Sequence, residues 1–281
     1  MNGTTAADTS GVEQGNDPCG FAVLVWSMLR MSVLIMVRYR LNFAIQLVGM
    51  YAFFAIVFFG GQEAVRSAGV GSVSALGSSL DAIIVGWFVY SMAQNAYSSL
   101  SGVITAESRW GTLEQLYVSP HGFERIMGAK LIINLTLSLL MGFLMLLLMV
   151  VTTDRTLTLD AFTILPLIVL TLMSVLGLGF TFGGLTLIYK KLSSVSRLMQ
   201  LALLGLVAAP AADVFALRFL PLVQGSAMLQ KAMREGTRLW EFRAHDLAIL
   251  VGAAVVYIGG GTLVFMVCSF VARKRGVMGH Y

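Results

Sequence analysis

Long apolar runs and short polar breaks alternate along this 281-residue chain. Six runs are long enough to cross a bilayer as helices, for which about 17–25 apolar residues are needed. They are Leu41–Phe59, Ala82–Val103, Leu131–Val151, Ala161–Ile188, Leu198–Phe219 and Leu247–Val271. Their charges fall at or near the ends, with Asp213 as the one deep exception. The pattern predicts an all-α membrane protein with six transmembrane helices over residues 41–272.

Residues 20–40, "GFAVLVWSMLRMSVLIMVRYR", are also apolar, but Arg30 interrupts them and Arg38 and Arg40 close them. A helix with bases at these positions can lie along the cytoplasmic interface, its arginine side chains reaching back to the headgroups. The alternative is a span with a central arginine, which costs at least about 2.5 kcal/mol on insertion scales. The expectation is an interfacial helix, which also preserves an even span count.

Between the spans, the first outer loop, 60–79, is rich in Gly and Ser and reads as a flexible connection. The loop at 152–160 is short, so the third and fourth spans are expected to pack as an antiparallel pair. Pro166 and Pro210 are expected to loosen or kink their helices. Gly177, Gly179, Gly183 and Gly184, and the triplet Gly259–Gly261, permit close helix packing, with a dimer seam as the alternative. The outer segment 221–246 is too short and too charged to span. Met228, Leu229 and Met233 line one face, with Gln230, Lys231 and Arg234 elsewhere, which reads as an amphipathic or re-entrant piece.

Composition agrees with the pattern. The chain is 57% hydrophobic and 12% charged, half the roughly 25% charged of soluble domains. The N-terminal residues 1–19 are polar, with neither a basic start nor an apolar core, and read as a disordered cytoplasmic lead-in rather than a signal peptide. Two distant cysteines, Cys19 and Cys268, indicate neither a disulfide framework nor a metal site.

Lys and Arg set the orientation. One group of loops carries Arg30, Arg38 and Arg40; Arg109, Arg125 and Lys130; Lys190, Lys191 and Arg197; and the basic tail 273–281. The opposite side carries Arg66 and Arg155 in its two shorter loops. Both termini are therefore expected in the cytoplasm of a multi-pass plasma-membrane protein. Five bases between Arg218 and Arg243 run against this rule on the outer side, with Asp213, Glu235, Glu241 and Asp246 offsetting most of them.

Catalytic motifs are sparse. "GFERIMGAK" at 122–130 imitates a phosphate loop, but Ala129 parts Gly128 from Lys130 and the glycine spacing is one too long. His121, His245 and His280 lack metal-ligand spacing, and no carboxylate pair falls at helical spacing inside a span. The expectation is a chain that is not an enzyme, with no catalytic residue, metal, cofactor or nucleic acid of its own. Gln94, Asn95 and Tyr97 in the second span and Asn134 in the third can hydrogen-bond between helices or line a substrate path. Asp213 can cap its span or hold an ion.

The break between the second and third spans is the most structured polar stretch. "ITAESRWGTLEQLYVSPHG" runs from Ile104 to Gly122. Thr112 and Gln115 fit a capping box: the Thr hydroxyl accepts from the Gln115 amide, and the Gln115 side chain accepts from the Thr112 amide. Gly111 provides a flexible joint before it. Leu113, Leu116 and Tyr117 share one face, and Ser119-Pro120 ends the turn. Such a helix, about 9–10 Å long, is too short to be stable alone and needs a surface to pack on. A cytoplasmic protein partner suits Glu107 and Glu114 better than an anionic leaflet.

Glu107 followed by "GTLEQLYVSP" (Gly111–Pro120) resembles the permease subunit of type-2 ABC transporters, mostly exporters. The resemblance extends to the interfacial lead-in, the six spans, the Leu220-Pro221 pair and the outer segment before the last span. It implies that Glu107, Arg109, Gly111, Thr112, Leu113, Glu114, Gln115, Leu116, Tyr117 and Pro120 form a coupling helix docking on an ATPase subunit. It further implies an interfacial elbow at Arg30, Arg38 and Arg40, outer re-entrant helices, and alternating access. The implied partners are two ATP-binding subunits that hold ATP and Mg2+, a second permease chain, identical or not, and membrane lipid. A hydrophobic or amphipathic drug, peptide, lipid or glycolipid is the expected cargo, with Na+ as an alternative within the family. An ion-coupled secondary transporter and a regulatory membrane subunit are the readings from other classes.

Overall fold

The computed structural model describes residues 18–67, 73–110, 123–153, 157–188, 193–208 and 215–274. Among them are eight α-helices: α1 (Pro18–Arg38), α2 (Arg40–Ser67), α3 (Val73–Trp110), α4 (Phe123–Thr153), α5 (Ala161–Ile188), α6 (Ser193–Ala208), α7 (Val223–Glu235) and α8 (Ala244–Lys274). Two short 3-10 turns, Phe215–Phe219 and Leu239–Glu241, flank α7. Five helices, α1, α2, α4, α5 and α8, are long and apolar enough to cross a membrane. The chain is an all-helical membrane protein by that measure.

Two helices organise the bundle. α3 touches α2, α4, α5, α6 and α7, and its middle turns are buried at Ile84, Val85, Met92, Ala93, Ala96 and Tyr97. α5 is the other, and its most extensive partner is α8. Glycine explains that pairing. A Cβ on Gly177 would run into the Tyr257 carbonyl, one on Gly261 would meet the Gly177 carbonyl, and one on Gly184 would stand 2.9 Å from the Phe265 Cα. The backbones cross too closely for any side chain at these points. Close packing is therefore what Gly177, Gly184 and Gly261 serve, whereas Gly259 and Gly260 remain exposed.

Two expectations are corrected. The short 152–160 loop does not make α4 and α5 close partners: they touch only briefly, because the glycine seam commits α5 to α8 and α4 lies mainly on α3. The fifth span does not run as α-helix through Phe219. α6 ends its described course at Ala208, two residues before Pro210, which has no N–H to donate. Residues 215–219 wind instead as a 3-10 turn, closed by the Leu220 amide donating to the Leu217 carbonyl at 3.1 Å. α5 carries Pro166 inside it and continues to Ile188.

The lead-in and the first span meet at a single residue. The Tyr39 amide donates to the Ile35 carbonyl at 2.9 Å, and the Phe43 amide to the Tyr39 carbonyl at 3.1 Å. Helical bonding thus passes through the joint, and α1 ends at Arg38 where the arginine cluster predicted a boundary. No residue of α1 from Gly20 to Arg38 is buried by protein.

At the other end, α7 and the turns around it form a cap. Val223, Gln224, Gly225, Ser226, Met228, Leu229, Ala232 and Met233 are buried against α5 and α3, while Lys231 and Arg234 are exposed. The amphipathic reading of this segment describes the observed faces. Leu222, at the N-terminal edge of α7, has φ 76°, a left-handed conformation that is costly for a leucine. Burial of its side chain, 2% exposed, and the Ser226 amide donating to its carbonyl at 2.8 Å hold it there. Gly236, with φ 71°, ends α7 in the conformation glycine adopts without penalty.

Candidate functional site

Of the predicted coupling residues, Glu107 and Arg109 fall in the last turn of the α3 backbone. Gly111, Thr112, Leu113, Glu114, Gln115, Leu116, Tyr117 and Pro120 lie outside the described residues, as does Asp213. What is described is where the segment is anchored. It leaves the C-terminal end of α3 and enters the N-terminal end of α4. The cap contacts the opposite end of α3, where Ala82 and Ile83 share a groove with Gln230 of α7. Ile83 and Glu107 are 24 residues apart, about 36 Å along a helix. That separation slightly exceeds the roughly 30 Å hydrocarbon core of a bilayer.

The four residues expected to line a substrate path do different things. Tyr97 is fully buried, sets its ring edge-on to Phe182 at 5.8 Å, and donates its hydroxyl to Ser196 Oγ of α6 at 3.4 Å. Asn134 is buried and accepts from Ser138 Oγ, one turn on, at 3.4 Å. Gln94 keeps its Oε1 buried without a hydrogen-bond partner among the described residues. Tyr97 thus bonds between helices, and Asn134 accepts a bond within α4.

Asn95 alone of the four opens onto a described cavity. It lines a space of about 330 Å3 between α1, α2, α3 and α4. Its Nδ2 donates to the Ser91 carbonyl at 3.2 Å, and its Oδ1 accepts from Gln46 Nε2 of α2 at 3.4 Å. Tyr39, Asn42, Ser98 and Ser138 share the lining with apolar residues such as Met36, Phe43 and Met141. Sequence reasoning passed over Asn42 and Gln46 although they are one helical turn apart. Asn95 with Ser98, and Asn134 with Ser138, repeat that spacing on α3 and α4. Three polar pairs at helical spacing, each on an apolar helix, were the available sign.

The cap encloses a second, larger cavity of about 750 Å3. Arg218, Lys231, Arg234 and Arg243 line it together with Glu235, Glu241 and Asp246. These are four of the five bases that run against the inside rule. Arg218 pairs with Asp246 at 3.6 Å, and Gln224 Nε2 donates to the same carboxylate at 3.3 Å. Arg238, the fifth, stacks over Trp240 at 5.4 Å, and its backbone amide donates to Glu241 Oε2 at 2.9 Å. The charges of this segment face one another and solvent around the cap.

The elbow arginines are all exposed: Arg30 in the middle of α1, Arg38 in its last turn and Arg40 at the start of α2. No group of three His, Cys, Asp or Glu among the described residues could hold a metal ion. Comparison of the chain with protein-family models and with curated proteins returned no match.

Proposed function

We propose that this chain is the membrane-spanning permease subunit of an ATP-driven exporter of the type-2 ABC class. The segment between α3 and α4 carries the reading. Glu107 and "GTLEQLYVSP" join two bundle helices at the end about 36 Å from the cap, a distance that suits a cytoplasmic connector opposite an outer lid. The exposed apolar α1, interrupted by Arg30 and closed by Arg38, suits an interfacial elbow. The cap suits the outer helices that precede the last span in such permeases.

On this reading the bundle is half a transporter. Two permease chains pair with two ATP-binding subunits, and ATP-driven closure of those subunits acts through Glu107–Pro120 on α3 and α4. Swinging of the bundles then opens a path for a hydrophobic or amphipathic cargo from the cytoplasm or inner leaflet.

Glu114→Arg tests the docking step. It should weaken co-purification of the ATPase subunit about tenfold or more, as reversing one charge of a docking pair does, while the permease stays folded. Unchanged co-purification would remove the docking role. Transport by the reconstituted complex should require ATP; transport driven by a Na+ or proton gradient alone would favour an ion-coupled carrier.

A further inference from the structure

We propose that the cavity between α1, α2, α3 and α4 binds an uncharged single-chain amphiphile, whose hydroxyl, amide or ester head hydrogen-bonds to Asn42, Gln46 and Asn95. The inference does not depend on coupling to an ATPase; it rests on the chemistry of the lining.

Four helices contribute to the cavity, and every lining side chain is either apolar or neutral and polar. No charged group among the described residues lines it, so an ionised head would lose its water there without a counter-charge, at a cost of several kcal/mol. A neutral donor or acceptor is matched instead. The Gln46–Asn95 bond is long, at 3.4 Å, beyond the common range for amides. Gln46 Oε1 and both ends of the Asn42 amide have no partner among the described residues. These groups converge with unused hydrogen-bonding capacity.

Their depth is informative. Asn42 and Gln46 lie two and six residues beyond Arg40, about 3 and 9 Å along α2. Asn95, which bonds Gln46, is 12 residues from both Ile83 and Glu107, about 18 Å along α3 from either, so the amides lie deep among apolar helices. Bare amides against hydrocarbon are unfavourable, and an occupant with a matching head relieves that cost. The volume, about 330 Å3, is at the small end of pockets that enclose organic ligands. It admits a head and the first part of one chain, leaving the remainder in the surrounding lipid.

The experiment uses the full chain in phosphatidylcholine nanodiscs. Its probe is a monopalmitoylglycerol carrying a diazirine near the head. Photolabelling should saturate, be displaced by unlabelled monopalmitoylglycerol, and map to peptides covering residues 35–46 and 137–141. The double variant Asn42→Leu/Gln46→Leu should lower saturable labelling about tenfold, the effect of losing two hydrogen bonds. Leu137→Trp, which fills the space from α4 and leaves the amides untouched, should block labelling to a similar extent. Labelling that fails to saturate, or that survives both variants in folded protein, would overturn the proposal. So would equal labelling by a lysophosphatidate with the same photoreactive chain, because a charged head would then be accepted. A neutral lipid that co-purifies with the wild-type chain and is lost from the double variant would identify a resident ligand. Wild-type protein that purifies empty and takes up the probe would identify a transient one, and either result supports the site.

Discussion

The helices α7 and α1 both lie outside the main bundle, and they bury their residues in opposite ways. α7 has 13 residues, of mixed polarity, and eight of them are buried by protein. α1 has 21, nearly all apolar, and none between Gly20 and Arg38 is buried. Trp26, Met31 and Val37 are each about two-thirds exposed. In a chain that lives in lipid, apolar content does not measure contact with protein, because a lipid tail covers a leucine as well as another leucine does. What ties α7 down is shape and hydrogen bonding: a small residue, Gly225, against α5, and the Thr158 hydroxyl on the carbonyls at its C-terminal end. α1 touches α4 and α2 over a limited face and leaves the rest of its surface to the membrane.

The strongest way to break the contrast is to push α7 off its support. A Cβ on Gly225 would overlap the Thr171 side chain, whose hydroxyl donates to the Leu167 carbonyl at 2.6 Å. Gly225→Val adds two further methyl groups at that point. It should destabilise the purified chain by about 3 kcal/mol or more, the upper end for overpacking. Thermal unfolding in detergent would register this as a fall in Tm of several degrees, and an unchanged Tm would mean that α7 is not held against α5. Met233→Ala comes next. Met233 is fully buried, and its loss should cost about 2–3 kcal/mol, moderated because the flexible neighbours Met228 and Leu229 can close part of the gap.

The contrast also explains what could be read in advance. Arg38 and Arg40 marked the boundary between α1 and α2 because charge at a membrane surface is expensive to misplace. The faces of α7 were legible because Met228, Leu229 and Met233 recur at helical spacing. The ending of the fifth span was not, since Leu217 and Phe219 are as apolar as any spanning residue and the chain's reversal at Pro221-Leu222 is a tertiary event. The close partnership of α5 with α8 was hidden for a similar reason: several glycines could have made a seam, and only geometry shows that Gly177 meets Gly261 while Gly259 and Gly260 do not. The amide-lined cavity drew on two short polar pairs, Asn42 with Gln46 and Asn95 with Ser98, and on Ser138, each unremarkable on its own helix. The coupling residues from Gly111 to Pro120 lie outside the described residues, so their role rests on the sequence resemblance.

A smaller effect sharpens the role of hydrogen bonds in the cap. Thr158 donates its backbone amide to the Met233 carbonyl at 3.0 Å, and its hydroxyl lies 2.8 and 3.0 Å from the carbonyls of Met233 and Ala232. These carbonyls end α7 and have no helical partner. Thr158→Val preserves the shape and removes the hydroxyl donor. It should cost about 1 kcal/mol, near the middle of the range for one net hydrogen bond, and shift Tm by about 2–4 °C. Thr158→Ser should recover most of that shift, which distinguishes the hydrogen bond from loss of the methyl contact.

The smallest expected effect lies in α1. Met31 is 64% exposed to its surroundings, and in detergent those surroundings are apolar. Truncation to alanine exchanges contact with detergent for contact with detergent, so Met31→Ala should change stability by less than about 0.5 kcal/mol, as for surface positions generally. The same truncation at Met233 costs several times more, although both are methionines in helices outside the bundle. The difference should persist in nanodiscs, where lipid replaces detergent at α1 and protein still surrounds Met233. If Met31→Ala instead destabilised the chain as much as Met233→Ala, α1 would have to pack on protein over the face that contains Met31. A second copy of the chain would be the first partner to examine, by crosslinking across that face. A null effect at Met31 with a large one at Met233 would leave lipid as the only support that the Met31 face of α1 requires.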